Sequence, residues 1–326
     1  EFLRKIADKL GEKDIDDINF VKISKYKNAK LPGEKKKEYT RTELAVIYAN
    51  GEITSGESDE TWIGSKTFVE NIREVRMDDD VKAVVLRINS PGGSALASET
   101  IWRELTLLAD QKPLVVSMGN VAASGGYYIA TPGKKIFASA NTVTGSIGVF
   151  GILPNFKELA NDKMGITFDG VKTNKFADMG DLSRPLTDEE YSIIQKQVEN
   201  IYETFVKRVA EGRNLRPEYV DSIGQGRVWS GLDALELGLV DEIGDLEEAI
   251  EEAVKLAELT DYRIKGYPKI KDPIQKILDE LNLENMAKTY LSSYVSKDAQ
   301  LQKSLEHLEA VRRMKGVQMR MPFLVD

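Results

Sequence analysis

The sequence predicts an α/β domain built on a mostly parallel sheet with helices packed against it. Apolar runs of strand length alternate with amphipathic runs of helix length from Thr42 to about Glu258. Two of the apolar runs end in glycine-rich loops that lead straight into helices. A chain of 326 residues with 41% hydrophobic and 30% charged positions has enough apolar material to bury a large core.

Residues 1–41 are rich in Lys, Asp and Glu and include "NAKLPGEKKKEY", whose Pro-Gly pair signals a turn; this stretch is expected to be the end of a preceding repeat followed by a linker. Within it "SKYK", Ser24 to Lys27, has the Ser-x-x-Lys spacing of some acyl enzymes but none of their other elements, and reads as a solvated strand or loop edge. "ELAVIYANGEI" then reads as a strand with an Asn-Gly turn, "SKTFVENIREVRMDDD" as an amphipathic helix, and "VKAVVLRIN" as a buried strand running into "NSPGGS". "LASETIWRELTLLAD" is the next helix and "PLVVSM" the next strand, running into "GNVAASGG". Such a β-α-β-α-β-α succession calls for parallel strands, because each return to the sheet passes through a helix. "TVTGSIGVFG" is a glycine-broken strand, and "NFKELANDKMG" a helix closed by Gly165. A capping box from Thr187 to Glu190 starts a long helix reaching about Glu211. "SGLDALELGLVDEIGDLEEAIEEAVKLAEL" supplies a short helix capped by Ser230, a strand and a further helix, with Trp229 filling the core before them. The main domain is therefore expected over residues 42–258, with 259–326 a mostly helical, charged extension. Its tail, "MRMPFLVD", is apolar enough to resemble a peptide ligand and reads as a disordered or docked terminus.

Composition removes several function classes. A net charge of -8 with no basic stripe offers nothing to a nucleic-acid backbone. The chain has no cysteine and a single histidine, which excludes thiol nucleophiles, disulfides and Cys/His zinc sites; no metal is expected. That histidine, His307, sits in the charged helical stretch "SLEHLEAVRRMKG", so a Ser-His-Asp triad is not expected. No phosphate-binding loop, dinucleotide fingerprint or Gly-x-Ser-x-Gly elbow occurs, so neither a nucleotide cofactor nor an α/β-hydrolase is supported. No apolar run approaches the roughly 18 residues a membrane span requires. The chain opens "EFLRKIADKL" without an initiator Met, as expected of a processed protein or an excised piece.

Ligand sites of open parallel sheets lie beyond the carboxyl ends of the strands, where both glycine-rich loops emerge. In Asn89–Ser94 the side-chain-free residues let backbone N–H groups turn toward a bound oxygen, while Ser124 stands at a helix start beside the Gly125 N–H. Two donors from two loops are the geometry of an oxyanion hole. The same residues also fit two tight strand-to-helix turns without chemistry, and Tyr127 and Tyr128 just beyond fit core packing. Composition leaves both readings open.

Together "VKAVVLRINSPGGSALASE", "KPLVVSMGNVAASGGYYIATP", "TVTGSIGVFG" and "GRVWSGLDALELGLVDEIGD" resemble the signal peptide peptidase A (protease IV) family over about residues 42–255, in the family's order. The charged lead-in and the tail further resemble the C-terminal half of the long, two-repeat bacterial form. The resemblance implies the ClpP/crotonase-like fold and a serine protease that degrades residual signal peptides at the bacterial inner membrane, on its extracytoplasmic face. It implies Ser124 as nucleophile, Gly93 and Gly125 rather than Gly92 as oxyanion donors, and Ser146 as a residue that holds the general base. Extended peptides are the implied partners, homo-oligomers the implied assembly, and membrane association would come through an anchor this chain lacks. An edge strand near Ser146 would let an extended peptide pair with the backbone.

The base is where the sequence departs from the family. A histidine-free serine protease needs a lysine kept neutral by burial. The family's lysine position, about fifty residues beyond the nucleophile in "DGVKTNKFADMGDLSRPLT", falls on Ala177. Lys175 and Lys172 miss that register by two and five residues and read as solvated loop lysines. In the long form the first repeat contributes the lysine, so the resemblance implies half of a Ser/Lys dyad here, inactive alone. Two other readings stand beside it: a non-catalytic repeat that binds peptides or scaffolds oligomers, and a crotonase-like acyl-CoA enzyme. The last would need a placed carboxylate and a basic phosphate pocket that the loops do not offer.

Overall fold

The computed structural model describes residues 2–12, 14, 18, 20, 40–59, 61–268 and 317–320. Glu1–Thr40 and Arg41–Asp326 are separate compact units. The first holds helix α1 (Phe2–Leu10). Ser24, Lys27 and His307 lie outside the described residues.

In the second unit β1 (Glu43–Asn50) turns at Gly51 into β2 (Glu52–Thr54), followed by β3 (Trp62–Gly64) and α2 (Ser65–Met77). Next come β4 (Val81–Ser90), β5 (Gly92–Ser94), α3 (Ala95–Ala109), β6 (Leu114–Ala123) and the one-turn helix α4 (Gly125–Tyr128). Strands β7 (Lys135–Ala138), β8 (Val143–Gly145) and β9 (Phe150–Gly151) precede the long α5 (Asp188–Arg213) and α6 (Pro217–Ile223). The chain continues through β10 (Val228–Ser230), α7 (Gly231–Glu236), β11 (Glu242–Ile243), α8 (Leu246–Leu256), β12 (Arg263–Tyr267) and β13 (Val317–Arg320).

The main sheet runs β10-β8-β6-β4-β1-β12, with β7 also on β6 and β11 on β7. All its pairings are parallel except β10 with β8. Its central strands are buried on both faces, which is why β1 and β4 are apolar nearly throughout. Alternate residues serve opposite faces: Ala45, Ile47, Val84 and Leu86 join the large core under α2 and α3, whereas Leu44, Val46, Ala83 and Val85 pack with Ala249 and Ala253 of α8.

The α/β expectation is met, and the Thr187 capping box is formed as read, with Thr187 Oγ1 accepting from the Glu190 N–H. Gly165, in the left-handed region, closes a helical turn that includes the π-helical Leu159–Lys163. One expectation needs correction. The "SPGGS" loop is partly strand, since β5 pairs with β2 and β13 in a second sheet ordered β3-β2-β5-β13-β9. Most of the expected helical extension, 259–326, lies outside the described residues; its described parts include the strands β12 and β13. β12 covers the open side of β1, where Lys265 lies 2.9 Å from buried Glu43 and Arg263 pairs with the same carboxylate.

Candidate functional site

β6 and β8 run parallel with Ala123 opposite Gly145, and Ser124 and Ser146 are the next residue on each. Both leave the sheet in the left-handed region, at φ 54° and 48°, which a side chain rarely adopts. The Ser124 N–H donates to Gly145 O at 2.8 Å and the Ser146 N–H to Arg227 O at 2.7 Å, so neighbouring backbone holds both turns. Ser124 caps α4 through its backbone only, its carbonyl accepting from the Tyr128 N–H at 2.8 Å. The Ser124 hydroxyl is buried and has no hydrogen-bond partner, an arrangement that a purely structural serine avoids.

The second loop reaches the same place. Gly92 and Gly93 both have positive φ. A Cβ on Gly92 would sit 2.6 Å from Gly125 N, and one on Gly93 would strike the Ile53 carbonyl of β2, so the two glycines allow the strand to touch α4 on one side and β2 on the other. The Gly92 N–H already donates to Ser90 Oγ at 3.2 Å. Gly125, first residue of α4, is at a position whose N–H has no partner inside a helix. Asn89, to which sequence reasoning gave no role, ties the strands at this end: its carbonyl accepts from Gly51 N–H at 2.9 Å and its Oδ1 from Val121 N–H at 3.2 Å.

Beneath the loops, Tyr127 and Tyr128 are core residues, as one of the two readings had it. The Tyr127 phenol donates to Leu239 O at 2.8 Å, and burial pushes its pKa well above the ordinary range. The Tyr128 phenol, raised likewise by burial and then by Glu99, donates to Glu99. Arg208 completes the cluster, 2.8 Å from Glu99 and with its guanidinium 3.8 Å from the Trp102 ring centre. Trp229 is partly buried and donates to Ile223 O at 3.0 Å.

Above the loops lies β13. It runs antiparallel to β5, Met319 opposite Gly93 and Arg320 opposite Gly92, and antiparallel to β9 on its other side. The Met319 carbonyl oxygen presses on Gly92 and would lie 3.0 Å from a Cβ on Gly125. Residues 317–320 are thus docked across the two glycine loops as an extended strand, and the rest of the tail lies outside the described residues. Arg320 reaches Glu52 of β2 at 2.9 Å, a pairing for which the sequence carries no signal.

No lysine joins this cluster from the positions the sequence offered. Ala177 is exposed; Lys172 is 50% exposed and 3.1 Å from Asp178, and Lys175 is 65% exposed and paired with Glu189. Lys112, whose pKa burial lowers, precedes β6 whereas Ser124 follows it, about 30 Å away along the strand. Its ammonium donates to Val75 O and Asp78 O. Among the described residues no group of acidic, His or Cys side chains could hold a metal, and no helix is long and apolar enough to cross a membrane.

Comparison with known proteins places this chain in a family. The model of peptidase family S49 matches residues 106–260. Protease 4 of Salmonella typhi is 43% identical over 239 residues, 73% of this chain but 38% of that one. A protein of Synechocystis sp. named as a protease, slr0021, is 38% identical over 237 residues, covering 82% of its length. An Enterococcus faecium chain named for signal peptide peptidase SppA is 33% identical over 271 residues, covering 78%. This chain spans about two fifths of Protease 4 and most of the two shorter relatives, and across that span it belongs to peptidase family S49.

Proposed function

We propose that the chain is the nucleophile-bearing part of a serine endopeptidase that cuts extended peptides, residual signal peptides among them. One observation carries this reading: the buried Ser124 hydroxyl, held without a partner at a strained turn between two glycine loops. Ser124 Oγ attacks the scissile carbonyl carbon as its proton passes to a neutral lysine amine. The carbonyl oxygen becomes an oxyanion held by the Gly93 and Gly125 N–H groups, a role supported by the prior engagement of the Gly92 N–H with Ser90. Collapse breaks the C–N bond, the ammonium returns the proton to the leaving amine, and water then hydrolyses the acyl-serine with the same lysine as base. Ser146, one residue beyond the strand pairing that positions Ser124, orients that lysine.

The lysine comes from another polypeptide segment, a first repeat of the long form or a neighbouring copy. Ala177 at the family's lysine position supports this. So do the exposed apolar side chains Ile152, Leu153, Phe156, Leu159, Phe168 and Val171 on the same surface segment, a patch of the kind that meets a partner chain. The assembly works against a membrane, on the extracytoplasmic side of the bacterial inner membrane, where residual signal peptides are left. Ala177 also favours a second reading, a peptide-binding repeat without catalysis. The two separate on a fluorogenic peptide offered to the chain alone, to the chain joined to a lysine-bearing first repeat, and to the joined form with Ser124→Ala. Hydrolysis by the joined form that vanishes with Ser124→Ala is the expected result; hydrolysis that survives the substitution, or none in any form, overturns the peptidase reading.

A further inference from the structure

The docked strand indicates which side chains the groove selects. Met319 stands opposite Gly93, and Gly93 stands opposite Ile53, so one step along the sheet Arg320, Gly92 and Glu52 form a row across three strands. Neighbouring strands lie about 4.8 Å apart, so a side chain on the peptide strand must span about 10 Å to meet one on β2. The middle position, Gly92, contributes no side chain between them. Arg320 makes that span: its guanidinium reaches the Glu52 carboxylate at 2.9 Å, with the Arg320 side chain 8% and the Glu52 side chain 17% exposed. Little water screens the pair, so the charge on Glu52 discriminates strongly among residues placed there. Only a long cation fits, since shorter basic or polar side chains end over Gly92 short of the carboxylate.

The register is fixed by the adjoining carbonyl. Met319 O lies against Gly92 and beside Gly125, and the residue that follows it sends its side chain to Glu52. We propose that Glu52 is a specificity-determining residue, an anionic subsite that selects Arg or Lys immediately after the peptide carbonyl seated at the glycine loops. The segment 317–320 is the resident ligand that displays this preference. The register relative to a scissile bond rests on the peptidase reading above, but the charge selection does not, and the test separates them.

Equilibrium binding reads the selection without bond cleavage. The full chain carrying Arg320→Ala, which loosens the resident strand, is titrated by fluorescence anisotropy with a labelled peptide VQMRMPFL and with versions bearing Lys, Ala or Glu at the Arg position. The expected result is a preference of about tenfold or more for the Arg and Lys peptides over the Glu peptide, reduced to within about twofold by adding Glu52→Gln and inverted by adding Glu52→Arg. An Arg preference that survives Glu52→Gln overturns the proposal. Hydrogen exchange of the 317–320 amides in the otherwise unaltered chain gives an independent readout. Arg320→Glu alone lowers protection about tenfold and the double exchange Glu52→Arg with Arg320→Glu restores it; failure of the double exchange to restore protection also overturns the proposal. If no assembly hydrolyses peptide while Glu52 still governs the preference, the peptidase reading falls and the subsite stands. If peptide is hydrolysed with a preference indifferent to Glu52, the subsite falls and the peptidase reading stands.

Discussion

Gly92 and Gly56 have the same φ, +95°, but opposite surroundings, and the pair isolates how tightly β13 is pressed on the site. A Cβ on Gly56 would meet nothing within 4 Å. Gly56→Ala therefore costs only the left-handed backbone penalty, about 1–2 kcal/mol. A Cβ on Gly92 would collide with the Met319 carbonyl and sit 2.6 Å from Gly125 N and 3.0 Å from Ala123 O, all backbone atoms that cannot swing aside. Gly92→Ala adds an overpacking cost of about 1–3 kcal/mol to the same backbone term, for a total of about 2–5 kcal/mol. The least costly relief is departure of β13, a four-residue strand, because Ala123 and Gly125 belong to β6 and α4 in the buried core. Urea unfolding of both variants gives the difference, and hydrogen exchange of the 317–320 amides shows where it is relieved. Gly92→Ala should exceed Gly56→Ala by about 1 kcal/mol or more and lose protection in 317–320. Equal stabilities with a protected tail strand would refute the claim that the peptide carbonyl rests against Gly92.

Ser124→Ala removes a buried hydroxyl that has no partner, so thermal unfolding should show unchanged or slightly raised stability, by up to about 1 kcal/mol; a loss of that size would mean that the hydroxyl is bonded. Tyr127→Phe takes a donor away from the buried Leu239 carbonyl and should cost about 1–2 kcal/mol in urea unfolding, against no measurable change if the bond is absent. Arg184 holds the Glu190 carboxyl down from its ordinary 4.5 to about 2, and holds Asp178 below its ordinary range too. Because the folded values are the lower ones, this stabilisation is complete above pH 4.5 and is lost as pH falls toward 2. Exchange protection of residues 178–190, corrected for intrinsic rates, should fall over that window, and Arg184→Ala should abolish the pH dependence; a flat profile in the unaltered chain would contradict it.

Strand and helix order was legible because each element carries its own period, and the two glycine loops because few other sequences let backbone approach backbone. The geometry at Ser124 was legible only in part. "AASGG" marks a helix start, but the strain at Ser124 arises from the pairing of Ala123 with Gly145, a contact between residues 22 apart in sequence. Ser146 shares that origin, and its amide is fixed by Arg227 O, still further along the chain. β13 was missed as a strand because "VQMR" is short and follows a charged helical pattern; what makes it extended is the pair of open strand edges it fills, which no local period records. Glu52 was invisible for the same reason, its meaning depending on a residue 268 positions away.

The two halves of the proposed dyad contrast in how the fold holds them. Ser124 sits where β6 ends in the buried centre of the main sheet, its conformation imposed by backbone bonds to β8 and by the core residues Tyr127 and Tyr128 below it. The proposed lysine position, Ala177, lies on a surface segment held by the side-chain pairs of Arg184 with Asp178 and with Glu190 and by a backbone hydrogen bond from Phe156 to Leu182, and the Ala177 side chain supports none of them. Substitution there changes no core packing and no sheet bond, so the fold places no demand on which residue occupies 177. Chemistry does place one, and a surface segment flanked by exposed apolar side chains is where another polypeptide can meet it. A rigid nucleophile and a replaceable base position are what the proposed divided active site requires: the half that must be preorganised is built into the sheet, and the half to be delivered would meet it at the surface segment.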